Sequence, residues 1–155
     1  MSVEIGDLAP DFTLKDQNNK EISLSQFKGE KNVLLVFYPL AFSGICFSEL
    51  CSLRDDLPRF SNDDVQLLTV SVDSVFSHKV WAQQEGFEFP LLSDFWPHGG
   101  VAHSYGVFDD NKGLALRGTF LIDIEGVVRY KVVNGIPDAR NQAEYADAVA
   151  KLTAA

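Results

Sequence analysis

Two largely continuous apolar runs, Val33 to Tyr38 and Val65 to Val72, restrict the fold of this chain more than any other feature. A strand with one wet face alternates apolar and polar residues. Short runs rich in β-branched, leucine and aromatic side chains predict strands covered on both faces. Such strands sit centrally in a sheet with helices on either side, which sets the fold class as α/β. The two runs are expected to lie side by side.

Between them, Phe47, Leu50, Leu53 and Leu57 recur at helical spacing, predicting a helix over Gly44 to Phe60 with Pro58 at its frayed end. A second helix is expected over Ser77 to Glu85, with a serine start, Gly86 as stop, and Val80 and Trp81 facing inward. Thr119 to Ile122, a turn at Asp123-Ile124-Glu125-Gly126 and Val127 to Val133 read as a hairpin, placing Arg117 early on its first strand. An alanine-rich helix over Asn141 to Leu152 closes the chain.

The length of 155 residues fits one domain over residues 1–155, with no repeat, linker or low-complexity tract. A net charge of -9, from 22 acidic and 13 basic residues, disfavours nucleic acid and anionic membranes as partners. Met1 to Asp7 has neither the cationic start nor the apolar stretch of a signal peptide, and no run approaches spanning length, so the cytoplasm is the expected compartment. Two cysteines in such a chain point to catalysis, redox exchange or simple burial rather than a structural disulfide.

Cys46 follows the first apolar run by one loop and falls at the expected start of a helix. Unpaired N–H groups and the positive end of the helix dipole favour a thiolate there, and the thiolate is the nucleophile. The spacing Pro39-x3-Ser43-x2-Cys46 resembles the active-site motif of the peroxiredoxins, thiol peroxidases of the thioredoxin fold. Ala9-Pro10-Asp11-Phe12-Thr13-Leu14 is similar to that family's opening segment, and Arg117-Gly118-Thr119-Phe120-Leu121-Ile122-Asp123 to its arginine-bearing strand. Ser93-Asp94-Phe95-Trp96-Pro97-His98, with Val101 to Val107, resembles most closely the one-cysteine bacterial group called AhpE. The likeness runs from about Ile5 to Leu152.

The resemblance implies a thioredoxin-like fold, with a central mixed sheet flanked by helices. It implies that Cys46 reduces hydrogen peroxide, organic hydroperoxides or peroxynitrite through a sulfenic acid. Arg117, Ser43 and the backbone N–H groups of Ile45 and Cys46 would cradle the oxygens, while Pro39 shields the sulfur. Glu49, three residues after Cys46, is on the same helix side and either holds Arg117 or serves as a carboxylate near the helix start. Serine stands at position 43 where the family usually has threonine.

Cys51 lies five residues after Cys46, a spacing also found in the bacterioferritin-comigratory-protein type. It is either a resolving cysteine or a buried one, and bridging to Cys46 would require the helix start to unwind. Otherwise an external thiol, such as thioredoxin, a glutaredoxin-like protein or a small thiol, recycles the enzyme. A homodimer is expected by the same resemblance. Two other readings are a redox sensor oxidised at Cys46 and a disulfide oxidoreductase, the latter disfavoured by the missing Cys-x-x-Cys. No cofactor is expected, and His78, His98 and His103 make no metal-ligand spacing with the cysteines. Arg54, Arg59 and the pairs Asp55-Asp56 and Asp63-Asp64 read as solvated surface. Trp96 and Pro97 line a substrate entrance, make a subunit contact or pack in the core.

Overall fold

The fold, a computed structural model, describes residues 3–136 and 142–153, with the side chains of Ile45, Cys46, Gln142, Tyr145 and Thr153 outside the description. Its two central strands are the two apolar runs: β3 (Asn32–Phe37) and β4 (Val65–Ser71) pair in parallel from Asn32↔Val65 to Phe37↔Val70. They belong to a seven-stranded mixed sheet of order β2-β1-β5-β4-β3-β8-β9. The remaining members are β1 (Thr13–Lys15), β2 (Glu21–Ser23), β5 (Leu91–Ser93), β8 (Arg117–Ile122) and β9 (Val128–Asn134). The short strands β6 (Phe108–Asp109) and β7 (Leu114–Ala115) form a separate ribbon.

The lack of alternation in β3 has a direct cause. Leu34, Val36 and Tyr38 enter one core with Leu50 and Leu53 of α1 (Gly44–Asp55), Trp81 and Ala82 of α2 (Val75–Glu85), and Ala146 and Val149 of α4 (Gln142–Thr153). Val33, Leu35 and Phe37 enter a second core on the other face, with Ala102 of α3 (Gly100–Ser104), Tyr105, Phe120 and the N-terminal residues Phe12 and Leu14. Every strand residue from Val33 to Phe37 is therefore buried, whichever way it points. Phe37, Tyr105 and Phe120 form a ring cluster at centroid distances of 5.1 to 5.9 Å.

Several boundaries depart from expectation. The first helix stops at Asp55 and continues only as a 3-10 turn over Leu57–Arg59, because Pro58 lacks an N–H and its ring crowds the carbonyl four residues back. The second begins at Val75, not Ser77: Ser74 is its N-cap, its hydroxyl accepting the Ser77 N–H at 3.2 Å. Gly86, in the left-handed conformation at φ 70°, ends it. Val80 proves half exposed, while His78, Trp81 and Ala82, at i, i+3 and i+4, form the buried face. Trp96 is 81% exposed, which rules out core packing for it. The hairpin forms as expected, with Arg117 the first residue of β8. No helix among the described residues is long and apolar enough to cross a membrane.

Candidate active site

The loop from Tyr38 to Ser43 carries the chain from the end of β3 into α1. Because β8 runs antiparallel to β3, the start of β8 meets the end of β3, and Arg117 is delivered to this loop. Pro39 and Ala41 are buried, Ser43 is half-buried, and Phe42 adopts φ 66°, a left-handed conformation rare for an aromatic residue.

Ser43 is the N-cap of α1, yet its hydroxyl makes no cap bond. It donates instead to the Leu40 carbonyl at 2.9 Å, which folds the loop back on itself and leaves the oxygen lone pairs as its remaining chemistry. The first bond closing the helix runs from Phe47 N–H to Ser43 O at 2.7 Å. Gly44, Ile45 and Cys46 therefore present N–H groups that the helix does not use. Cys46 is the third residue of α1, and its side chain lies outside the described residues.

One turn further on, Glu49 is buried and accepts from Arg117 Nη1 at 2.6 Å. Arg117 Nε donates to the Ile136 carbonyl at 2.6 Å. Both groups are almost fully buried, and two short bonds from different elements fix the guanidinium plane, so a permanent positive charge is held against the first two turns of α1. Cys46 and Glu49 are i and i+3 of this helix, so Arg117 meets α1 one turn after Cys46.

Cys51 is a half-buried thiol packed on the core formed by α1, α2 and α4. Burial pushes its thiol above the ordinary cysteine value, with the neighbouring Arg54 partly opposing. Both cysteines lie on the continuous helix α1. Five residues of ideal helix separate their Cα atoms by roughly 8.6 Å, beyond the limit of about 7 Å for a disulfide.

Behind the loop is a polar cluster whose contacts sequence reading did not anticipate. Asp73 Oδ2 accepts from Ala41 N–H at 2.8 Å and from the Ser71 hydroxyl at 2.7 Å. Ser71 Oγ lies 2.7 Å from Nε2 of His78, which also faces the Tyr38 hydroxyl at 3.1 Å. His78 is fully buried, and desolvation pushes its imidazole down to about 4 although Asp73 opposes this, so the ring is neutral at physiological pH. The available signal was Ser71-Val72-Asp73 at the end of a strand parallel to β3, since open α/β sheets build sites at the carboxyl ends of their strands. His98 and His103 lie elsewhere, beside Phe108, and among the described residues no group of three or more His, Cys, Asp or Glu could hold a metal. Arg54 and Arg59 are partly to largely exposed and pair with Asp55 and Asp56. A cleft of about 250 Å³ lined by Leu8, Lys28, Lys31 and Ile122 lies where β3 begins and β8 ends, at the opposite end of the sheet from Cys46.

Solved structures with this architecture include a reduced 2-Cys peroxiredoxin of Plasmodium vivax, with TM-score 0.84 and 34% identity, covering 94% of this chain and 80% of that one. Peroxidoxin BcpB of Mycobacterium tuberculosis superposes with TM-score 0.82 and 30% identity, covering 98% and 97%. Both neighbours are peroxiredoxins of thioredoxin-like fold, and the class of this protein is accordingly that of the thiol-dependent peroxidases. The chain belongs to the AhpC/TSA family, whose model matches residues 5–131. It is 53% identical over 152 residues to alkyl hydroperoxide reductase E of Mycobacterium tuberculosis, covering 98% of this chain and 99% of the relative. It is 37% identical over 150 residues to a chloroplastic 2-Cys peroxiredoxin of Hordeum vulgare, covering 90% and 70%. Its reaction is the reduction of peroxide at the expense of a thiol.

Proposed function

We propose that Cys46 is the peroxidatic residue, and that hydrogen peroxide, peroxynitrite and organic hydroperoxides are its substrates. The name of the mycobacterial relative supports the last. The observation that carries this reading is the position of Cys46 in the first turn of α1, among N–H groups the helix leaves unused, one turn before the Glu49–Arg117 pair.

The Cys46 thiolate attacks the terminal peroxide oxygen. An S–O bond forms as the O–O bond breaks, the sulfur is oxidised to a sulfenic acid, and the peroxide is reduced to an alkoxide or hydroxide that leaves as alcohol or water after protonation, or to nitrite when the substrate is peroxynitrite. Negative charge moves onto the departing oxygen during the step. A buried guanidinium aimed there favours the transition state over the bound peroxide, and this is the role assigned to Arg117. Ser43, whose proton is committed to Leu40, accepts the O–H of the peroxide and so orients it. Pro39 closes the loop with a surface that offers water no donor. Glu49 holds Arg117 in register.

Recycling by an external thiol, from thioredoxin, a glutaredoxin-like protein or a small thiol, fits better than resolution by Cys51. Ideal helix geometry separates the two Cα atoms by roughly 8.6 Å, and burial raises the Cys51 thiol, which lowers its thiolate fraction. Exposed Leu40, Phe42 and Phe47 beside the loop support a homodimer through this edge. A single domain in the cytoplasm completes the reading.

Cys46→Ser is expected to abolish peroxide consumption, and full turnover in that variant would refute the assignment. Intact mass after a substoichiometric peroxide pulse separates the recycling routes: a gain of about 16 Da marks a sulfenic acid awaiting an external thiol, and a loss of about 2 Da a Cys46–Cys51 bridge.

A further inference from the structure

The loop that delivers Cys46 is held from behind by a side chain the reaction itself does not use. Ala41 donates its N–H to Asp73 Oδ2 at 2.8 Å across 32 residues of sequence. The next residue, Phe42, sits at φ 66°, where an L side chain crowds its own backbone, and its ring is half exposed. That conformation persists only if its surroundings impose it. Two contacts do so: the Asp73 bond immediately before Phe42, and packing of the Phe42 ring on Trp81 at 5.6 Å.

Asp73 is itself tightly placed. Its backbone carbonyl accepts from the Ser93 hydroxyl at 2.6 Å, and its carboxylate takes the Ser71 hydroxyl proton at 2.7 Å. Since Ser71 spends its proton on Asp73, the 2.7 Å contact between Ser71 Oγ and His78 Nε2 requires His78 to donate from Nε2. The result is a one-way chain, His78 Nε2–H to Ser71 Oγ–H to Asp73 Oδ2, on which the Ala41 N–H converges, each bond polarising the next.

We infer that Asp73 is a positioning residue for peroxide reduction, its carboxylate oxygen clamping Ala41 N–H so that the left-handed Phe42 turn and the first turn of α1 stay formed around Cys46. The inference rests on the reading of Cys46 as the peroxidatic residue. Asp73 acts through the backbone of the loop and touches neither the peroxide nor the sulfur. Releasing the clamp lets Phe42 relax, displaces the helix N-terminus, and degrades the alignment of N–H groups and Arg117 with the reacting oxygens.

The test compares Asp73→Ala with Asp73→Asn, which loses the charge but keeps an oxygen able to accept from Ala41 and Ser71. Single-turnover oxidation by hydrogen peroxide and amide hydrogen exchange are measured on both. In Asp73→Ala, oxidation is expected to slow about tenfold or more, as a small misplacement of reacting groups does. Exchange at Ala41 accelerates while exchange in the β4 core, at Leu68, does not. Asp73→Asn keeps the rate within about threefold of the parent, because a neutral acceptor replaces a charged one. A merely structural role would loosen β4 and the loop together and would not be rescued by asparagine. The inference is overturned by a folded Asp73→Ala variant that reacts at the parent rate, by unchanged Ala41 exchange, or by an asparagine variant as slow as the alanine one. Should Asp73→Ala fail to fold, Ser71→Ala, which removes only the orienting hydroxyl, must both slow oxidation and speed Ala41 exchange, and no change in either overturns the inference. Cys46→Ser is measured alongside. Peroxide consumption by that variant defeats the underlying reading, whereas its inactivity beside a normal Asp73→Ala defeats the positioning role alone.

Discussion

The Glu49–Arg117 pair shows what one buried contact is worth. Each side chain is nearly inaccessible, so removing one partner withdraws compensation from a charge that burial has already made costly. Arg117→Ala is expected to destabilise the fold by about 3 kcal/mol in urea titration, and to slow single-turnover oxidation about a hundredfold, as loss of one transition-state donor does. A parent-like rate in a folded variant would remove Arg117 from the site. Gly99 is a second residue whose identity the structure explains. It has φ 69°, and a Cβ there would lie 2.1 Å from Phe108 Cε1, on a ring packed between His98 and His103. Gly99→Ala should therefore lower stability by on the order of 2 kcal/mol while leaving the oxidation rate near that of the parent. Pro39, Ser43 and Cys46 are proposed from their motif spacing and Arg117 from the likeness of its strand, and the structure brings Arg117 to α1 one turn after Cys46. Glu49 was legible as a helix-face neighbour. Asp73 was not, because its contact with Ala41 joins two loops that only the pairing of β3 with β4 brings together.

Elements followed the sequence where one local rule governed them and departed where two competed. In α2, helical period allowed either Val80 or His78 beside Trp81 on the inner face. Contacts of His78 Nε2 with the Ser71 and Tyr38 hydroxyls settled the rotation and left Val80 in water. Its start moved to Ser74 because that hydroxyl reaches the Ser77 N–H in N-cap geometry, a distinction that a row of serines cannot display. Ser74→Ala should cost about 1 kcal/mol in thermal or denaturant unfolding, and an unchanged midpoint would show that Ser77 or water replaces the cap. In α1, the expected helix overran its true end because apolar spacing persists through Leu57, while Pro58 forbids the backbone that spacing requires.

For the whole molecule, acid stability is the readable consequence of burying polar groups. The His78 imidazole, surrounded by Tyr38, Ser71 and Asp73, is held down at about 4 from 6.5, so the unfolded chain binds a proton that the folded one refuses. This cost is absent above about pH 7 and grows as pH falls from 6.5 toward 4. Asp94 has the opposite sign, since desolvation raises its carboxyl despite bonds from Val101 and Ala102, and acidification relieves it. His78→Gln isolates the first effect: between pH 7 and 4.5 the parent should lose on the order of 2 kcal/mol more stability than the variant. Equal losses would show that His78 takes up its proton in the folded state. The sequence by itself determined the α/β layering, the centre of the sheet and the place of Cys46 at a helix start, because these follow from local periodicity and short-range spacing. Only the tertiary structure decided which face of α2 is buried, that Arg117 and Glu49 share a desolvated contact, and that Asp73 grips the Cys46 loop. Those contacts, Ala41 with Asp73, Tyr38 with His78 and Glu49 with Arg117, link residues 32 to 68 positions apart, and their strength depends on exclusion of water, which no local pattern records.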